Sequence, residues 1–230
     1  MPEQFVDPLI RPARGRTRAV VLVLHGGKAD SREASRPWHL SAVRMTPFAT
    51  SLHVQLARQG VAVWSVRYRF RGWNGSAASP VQDATRALEL VRSTHGDVPV
   101  VLLGHSMGGR TALRLAQDPS VVGVVALAPW LPPGEPHRVK DRVVHLAHGS
   151  DDRWTDPRAT RAWADKARAT ARDVVLTEVP RGGHFMLSRV ALWNTLALGG
   201  VVAALTVALG TLDSDERGAV DPSAPAGGFE

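Results

Sequence analysis

Short apolar runs rich in β-branched residues alternate with longer stretches of helical pattern along most of the chain. Within each run the apolar character is continuous, which is typical of strands covered on both faces by helices. An alternation of such strands with helices predicts βαβ units and a parallel sheet. The six runs cover residues 19–25, 61–68, 98–104, 121–128, 142–148 and 173–179.

Helical segments are predicted between the runs, and two of them carry clear end signals. Gly60 follows one segment, as expected for a residue just beyond a helix C-terminus. Asp156 and Pro157 suit the N-cap and the first turn of another. Together, runs and helices predict an α/β fold with three αβα layers around a mostly parallel, doubly wound sheet of about six strands. The predicted helices cover 47–59, 80–94, 107–117 and 157–171.

The domain organisation expected from the sequence is simple. A chain of 230 residues is long enough for one domain with its own core, and it contains no repeat or domain linker. We therefore expect a single domain over residues 1–212 and a polar, disordered tail over 213–230. The N-terminus lacks the apolar region of a signal peptide, so a cytoplasmic location is expected.

The segment 190–212 contains no charged residue and is long enough to span a bilayer. Asn194, Thr195 and Thr206 interrupt its apolar character, and Gly199 with Gly200 would allow close helix packing. A sheet of this kind needs helices on both faces, and this segment follows the last predicted strand. We therefore favour a final helix packed on the sheet, with membrane association as the alternative.

Composition removes several classes of function. The chain has no cysteine, which excludes a disulfide framework, a cysteine nucleophile and thiolate metal sites. Its net charge of +7 comes mainly from arginines that are scattered along the chain, so no nucleic-acid partner is expected. The histidines show no ligand spacing with acidic residues, so we expect no metal and no cofactor.

One serine lies in a setting that carries chemistry. The third run leads into Gly104-His105-Ser106-Met107-Gly108 and then directly into a helical segment. The pattern G-x-S-x-G is weak by itself, but a sharp strand-to-helix turn is the context that gives it meaning. Such a turn projects the serine hydroxyl above the sheet, at the N-terminus of the next helix. Ser106 is therefore predicted to be a nucleophile.

A serine hydroxyl needs a base and an orienting acid, which this topology supplies in the order serine, acid, histidine. The loop after the fifth run contains Asp151 and Asp152, and the loop after the sixth contains His184. His184 is the predicted base. The positions of Asp151 and Asp152 in this loop do not decide which of the two is the acid.

Four motifs together resemble the α/β-hydrolase superfamily across nearly the whole chain: HGG after the first run, GHSMGG, HGSDDRWTDP and GGHF. The esterase and lysophospholipase-like serine hydrolases are the most similar members. The resemblance implies that Asp152, four residues after His148, is the acid and that Asp151 is a turn residue. It also implies an oxyanion hole formed by the backbone N–H groups of Met107 and Gly27, with Lys28 as the alternative second donor.

The remaining histidines receive structural interpretations. His105 is expected to be a packing residue on the far side of the turn from the nucleophile. His25 and His148 precede glycines at strand ends and are expected to hydrogen-bond loop backbone.

The substrate cleft is expected to be open at its top. Many members of the superfamily insert a helical lid where this chain has only the short, proline-rich segment 129–142. A cleft bounded by loops alone follows, and its tryptophans would suit an apolar acyl or aromatic substrate, although any of them can equally anchor its own loop. The predicted wall residues are Lys28, Trp38, His39, Trp73, Trp130 and Trp154.

Three arginines follow the second run at the same edge. Arg67, Arg69 and Arg71 can recognise an anionic substrate group or pair with local acids such as Asp83. We favour the pairing.

These features predict a serine hydrolase that cleaves carboxylic esters of small molecules through an acyl-enzyme, without a cofactor. A thioesterase, lipase, amidase or cofactor-free perhydrolase would use the same triad, and a non-catalytic binding module is the less favoured alternative. The sequence does not indicate an oligomeric state.

Overall fold

A computed structural model describes residues 4–210 of the chain, which form a seven-stranded sheet flanked by helices. The predicted tail, 213–230, lies outside the described residues. The strands are Val6–Arg11 (β1), Ala19–Leu24 (β2), Val61–Arg67 (β3), Val100–His105 (β4), Val121–Leu127 (β5), Val143–Gly149 (β6) and Asp173–Val179 (β7). The helices are Leu40–Val43 (α1), Thr46–Leu56 (α2), Ser79–His95 (α3), Met107–Arg114 (α4), Pro157–Ala167 (α5) and Val190–Leu209 (α6).

The sheet has the order β1-β3-β2-β4-β5-β6-β7, and every neighbouring pair is parallel except β1 with β3. All six predicted strands are present. The estimate of about six strands is corrected to seven, because β1 was not predicted. Its sequence, VDPLIR, contains Pro8 and two charged residues instead of a continuous apolar run. Proline is tolerated there because β1 is an edge strand whose register shifts between Val6 and Leu9.

The three-layer αβα architecture follows from the alternation of side chains along buried strands. On β2, Leu22 and Leu24 face one core with α3, α4 and α5. Val21 and Val23 face the opposite core with α2 and α6. Both faces of the central strands are therefore buried in apolar cores, which explains why these strands are apolar throughout.

The strand order reverses beside β2, because β3 lies on one side of it and β4 on the other. In open sheets with helices on both faces, such a reversal leaves a crevice beyond the carboxyl ends of the two central strands. The loops after β2 and β4 meet at this crevice. They carry Gly27 and Ser106, respectively.

Helix α6 packs on the sheet over β5 and β6. Gly200 permits this approach, because a Cβ there would lie 2.9 Å from Cβ of His145 and from Cγ2 of Val125. Gly199 has open space around it and makes no such contact. Among residues 4–210, α6 is the single helix long and apolar enough to cross a membrane by length and composition. Its buried residues are Trp193, Ala197, Gly200, Val201, Ala204 and Leu205.

The connection between β5 and β6 leaves the carboxyl edge of the sheet uncovered. Residues 128–142 contain neither helix nor strand, and Pro129, Pro132 and Pro133 limit their freedom. Within residues 4–210, no helical lid stands over the crevice on this side.

Candidate active site

Ser106 lies on a sharp turn between β4 and α4. Its backbone adopts φ 56° and ψ −118°, a conformation that is costly for a residue with a side chain. The turn closes only because the flanking glycines lack Cβ atoms. A Cβ on Gly104 would collide with the carbonyl of Gly108, and one on Gly108 would collide with the carbonyl of Leu24. The predicted strand-to-helix elbow is therefore present, with its serine at the start of α4.

Ser106, His184 and Asp152 lie within hydrogen-bonding distance of one another. Ser106 Oγ is 3.0 Å from His184 Nε2, and His184 Nδ1 is 2.8 Å from Oδ2 of Asp152. An ionised carboxylate only accepts hydrogen bonds, so Nδ1 carries the proton and Nε2 is left to accept the Ser106 hydroxyl. All three side chains are nearly buried. The arrangement has the polarity needed to remove a proton from Ser106.

Asp152 is held by several donors in addition to His184. Its Oδ1 accepts the backbone N–H groups of Trp154 and Thr155 at 2.8 and 2.9 Å. Its Oδ2 accepts the hydroxyl of Thr155 at 2.8 Å and Nε2–H of His148 at 3.2 Å. Asp151, by contrast, is exposed and accepts only the Ser150 hydroxyl among the described side chains. Of the two aspartates, the structure brings Asp152 to the histidine.

The charge state of Asp152 follows from these contacts. Burial by itself would raise its pKa, but the hydrogen bonds from His148, His184, Thr155 and Trp154 outweigh burial and hold the pKa well below its usual range. Asp152 is therefore ionised at neutral pH. His148 is fixed in turn, because its Nδ1 accepts the Thr160 hydroxyl at 2.8 Å.

Gly27 and Met107, the predicted oxyanion donors, are in close contact. A Cβ on Gly27 would overlap Cε of Met107 and the carbonyl of Arg71, so only glycine fits there. Met107 is the first residue of α4, where a backbone N–H has no partner within its own helix. Lys28 is committed elsewhere, because its N–H donates to the carbonyl of Arg71 at 2.8 Å. Lys28 therefore does not serve as the second donor.

His105 does more than pack, which corrects the expectation from the sequence. Its Nε2–H donates to the carbonyl oxygen of His184 at 2.9 Å, and its ring lies 4.9 Å from the ring of His184. Burial lowers the pKa of His105 to about 3, so the ring is neutral. Nothing in the sequence pointed to this bond, because the two histidines are 79 positions apart.

A cavity of about 820 Å³ opens beside this site. Its walls come from β1, the ends of β2 and β3, and the segment before α2, and they include Phe5, Trp38, Met45 and Tyr68. His25 connects the cavity to the nucleophile: it lines the wall, and a Cβ on the next residue, Gly26, would lie 3.3 Å from Cβ of Ser106. The cavity therefore lies next to the elbow, although Ser106, Asp152 and His184 are not among its lining residues.

The predicted wall residues fall into two groups. Trp38 and Trp154 are both exposed: Trp38 lines the cavity, and Trp154 stacks on His184 with ring centroids 6.3 Å apart. His39 accepts the backbone N–H of Arg36 beside Trp38. Lys28 is exposed next to Gly27.

Trp73 and Trp130 are placed differently. Trp73 is 4 % exposed and lies in the core, with the guanidinium of Arg110 3.7 Å above its ring. Trp130 also packs against Arg110, 4.6 Å from its guanidinium, and donates its backbone N–H to the carbonyl of Ser106 at 3.1 Å. A salt bridge between Arg110 and Glu135 completes the cluster. These surroundings favour anchoring over substrate contact for both tryptophans.

The three arginines after β3 are mostly paired. Arg69 forms a salt bridge with Asp83, and Arg71 forms one with Glu33. The side chain of Arg67 lines the cavity and pairs with no acidic residue between positions 4 and 210. The pairing favoured from the sequence therefore holds for two of the three. Within the same range, no group of three histidine, aspartate or glutamate side chains is arranged to hold a metal ion.

Comparison with known proteins gives a consistent picture. The sequence profile of the alpha/beta hydrolase family matches residues 20–152, a stretch that includes Ser106 and Asp152. No curated protein sequence matches the chain.

Solved structures share the fold at low sequence identity. A serine hydrolase without a lid from Xanthomonas campestris is 18 % identical, with a TM-score of 0.62 over 84 % of this chain and 86 % of that one. Est1E from Butyrivibrio proteoclasticus, solved with ferulic acid bound, is 12 % identical, with a TM-score of 0.66 over 87 % and 95 % of the two chains. A monoacylglycerol lipase from Paleococcus ferrophilus is 16 % identical, with a TM-score of 0.61 over 86 % and 100 %.

Proposed function

The chain belongs to the alpha/beta hydrolase family, and we propose that it is a serine hydrolase that cleaves carboxylic esters through an acyl-enzyme. One observation carries the proposal: the continuous path of hydrogen bonds from Ser106 Oγ through both ring nitrogens of His184 to Asp152. A structural serine has no need of a buried imidazole and a carboxylate with a lowered pKa.

In the first half of the proposed reaction, Ser106 Oγ attacks the ester carbonyl carbon while His184 Nε2 takes the hydroxyl proton. Asp152 stabilises the imidazolium that results and stays ionised itself. The backbone N–H groups of Gly27 and Met107 donate to the developing oxyanion, and each such donor contributes about 3 kcal/mol in enzymes of this type. The tetrahedral intermediate collapses when His184 returns the proton to the leaving alkoxide, and the alcohol departs.

In the second half, a water molecule attacks the acyl-enzyme carbonyl and gives its proton to His184. Collapse of this second intermediate breaks the bond to Ser106 Oγ, which recovers its proton, and the carboxylic acid leaves. The same steps would serve thioesters or amides, so the triad does not choose among them.

The surroundings of the triad favour an ester with an organic acyl group. The cavity beside the elbow has aromatic and aliphatic side chains in its wall, among them the exposed Trp38, together with polar and charged ones such as Asp7 and Arg67. The names of two structural relatives point to acyl compounds: one is a monoacylglycerol lipase, and the other was solved with ferulic acid bound. These relatives support an acyl ester as substrate and do not specify which one.

Hydrolysis of short p-nitrophenyl esters tests the proposal. Ser106→Ala is expected to reduce kcat by about 10³-fold or more, because the nucleophile is lost. Ser93→Ala is the matched control, since Ser93 is an exposed serine on α3 that only bonds its own helix. The assignment fails if Ser106→Ala hydrolyses these esters as fast as Ser93→Ala and the unaltered protein do.

A further inference from the structure

Exposed apolar side chains are concentrated around the mouth of the active site. Twelve large apolar side chains between positions 4 and 210 are exposed, and half of them lie on three segments that follow β2, β6 and β7 and precede α2, α5 and α6. Leu40, Trp154 and Leu187 are each more than 70 % exposed. A contiguous patch of this kind marks an interaction site more often than chance exposure does. We call this set the apolar rim: Trp38, Leu40, Val43, Trp154, Phe185 and Leu187.

Contacts between the three segments make the rim one surface. The ring of Trp154 lies 5.2 Å from that of Phe185, and both pack against His184. The guanidinium of Arg44, at the end of α1, lies 4.6 Å above the ring of Phe185. The segment that carries Leu40 and Val43 is thereby joined to the segment that carries His184.

Two of the three segments are purely basic. Residues 36–46 and 180–190 contain four arginines and no aspartate or glutamate. Arg36, Arg181 and Arg189 are exposed, and none of them forms an ion pair with a residue in the described range 4–210. The third segment, around Trp154, carries the exposed Asp151 and Asp156 beside Arg153, so the arginines without neighbouring acids in their segment lie on the other two.

Helix α6 extends this surface. It begins at Val190, one residue after Arg189, and has no charged side chain along its 20 residues. Its outward positions, such as Ala191, Thr195 and Thr206, are exposed and uncharged. Beyond Arg189, an apolar group that approaches the first turn of α6 therefore meets no charged side chain.

We propose that the apolar rim and its arginines form a docking surface for an anionic lipid bilayer, from which the active site draws ester substrates with long acyl chains. Exposed tryptophan and phenylalanine next to arginine are the side chains that settle at the boundary between headgroups and acyl chains. The arginines would interact with the negative headgroups. The part of the proposal that concerns substrates rests on the proposed ester hydrolase function, whereas the docking itself does not.

Charge also argues for a bilayer over a second copy of the chain. A two-fold symmetric dimer through this rim would bring the same patch together with itself, so that arginines of one copy would approach those of the other. An anionic bilayer instead neutralises them. Leu40 and Leu187, the aliphatic members of the rim, can then enter the acyl-chain layer of the bilayer. A hydrated acidic macromolecule would offer no such apolar layer.

Co-sedimentation of the full chain with vesicles tests the docking. We expect binding to vesicles of phosphatidylcholine mixed with phosphatidylglycerol, weaker binding to phosphatidylcholine alone, and partial loss of binding at high salt. Replacing Arg36 and Arg181 by glutamine is expected to weaken binding to the mixed vesicles about fivefold for each arginine. Replacing Leu40 and Leu187 by serine is expected to weaken binding to both kinds of vesicle about tenfold.

Two matched control pairs lose the same charge, or the same number of aliphatic side chains, as the corresponding rim pairs. Arg58→Gln with Arg172→Gln removes two exposed arginines that precede β3 and β7, at the opposite edge of the sheet. Ile10→Ser with Val54→Ser removes two exposed aliphatic side chains from β1 and α2. Both control pairs should bind vesicles like the unaltered protein. The docking surface is refuted if no vesicle is bound, if rim and control pairs behave alike, or if the rim pairs change only the oligomeric state.

A second readout separates docking from catalysis. Hydrolysis of a short, water-soluble p-nitrophenyl ester should be unchanged in the Leu40→Ser, Leu187→Ser pair, whereas hydrolysis of a long-chain ester dispersed in anionic vesicles should fall about tenfold. Equal loss on both esters would overturn the substrate part of the proposal. If neither ester is cleaved by the unaltered protein, the hydrolase assignment fails while vesicle binding is still measurable.

Discussion

The imidazole of His105 donates a hydrogen bond from Nε2 to the main-chain oxygen of His184 at 2.9 Å. The residue beside Ser106 thus holds the backbone of His184, and the elbow is joined directly to the loop after β7. Nδ1 of His105 is buried without a partner among residues 4–210, which a neutral ring tolerates far better than a charged one.

Replacing His105 by phenylalanine is expected to lower kcat for ester hydrolysis about tenfold with little change in KM. Phenylalanine fills the space but leaves the carbonyl of His184 without its donor, so the base shifts relative to Ser106. His105→Gln should recover most of the rate, because its side-chain amide can donate in place of Nε2–H. Steady-state kinetics of both variants check this. Equal rates for phenylalanine and glutamine would show that the bond does not position His184.

Acid should destabilise the folded protein through its buried neutral histidines. Burial lowers the pKa of His105 to about 3 and that of His25 to about 4. Below about pH 6.5 the unfolded chain takes up protons at these rings while the folded chain does not, so the free energy of unfolding falls by about 1.4 kcal/mol per pH unit for each ring until its folded pKa is reached. His105→Gln should reduce that slope by about one ring's share. Urea unfolding of both proteins over this pH range measures it.

The two neighbouring aspartates should respond very differently to removal of their charge. Asp152→Asn is expected to lower kcat about 10⁴-fold, because the asparagine amide favours the wrong tautomer of His184 and does not stabilise the imidazolium. Asp151→Asn should stay within about twofold of the unaltered rate, since Asp151 is exposed and bonds only Ser150 among the described side chains. The reverse ranking in an ester assay would reassign the acid.

A methyl group at Gly27 should impair the oxyanion donors and spare the nucleophile. The added Cβ would overlap Cε of Met107 and the carbonyl of Arg71, so the loop has to move away from the elbow. Loss of one aligned donor is expected to reduce kcat about 100-fold in Gly27→Ala. Gly183→Ala is a suitable control, because a Cβ there has open space around it. Circular dichroism spectra that match the unaltered protein would show that both variants are folded.

The five strands β2 to β6 are largely buried, and their continuous apolar runs make them predictable, whereas β7 is mostly exposed or half-buried and is predicted from its β-branched residues. The strand β1 is not predicted, because Pro8 and two charged residues interrupt its short apolar sequence. Helix ends were less accurate. The helix expected to continue to residue 171 ends at Ala167, where propensity alone gives no stop signal.

Local geometry makes Ser106 predictable, because the glycines of its elbow are required by neighbours close in sequence. The choice of Asp152 over Asp151 needed the family resemblance, and the role of His105 needed three dimensions. The tryptophans show most clearly what the sequence alone does not predict, which is whether a given side chain is buried or exposed. Trp73 is 4 % exposed beneath Arg110 and Trp154 is 73 % exposed at the mouth, yet both follow a strand at the same edge of the sheet. Only packing between distant segments separates them.

Covalent labelling of the purified protein by a fluorophosphonate, located by peptide mass spectrometry, tests the central assignment most directly. The activated hydroxyl next to His184 predicts a single adduct on Ser106, absent from Ser106→Ala and formed far more slowly by His184→Ala. An adduct on another residue, no adduct at all, or equal labelling of His184→Ala and the unaltered protein would contradict the account.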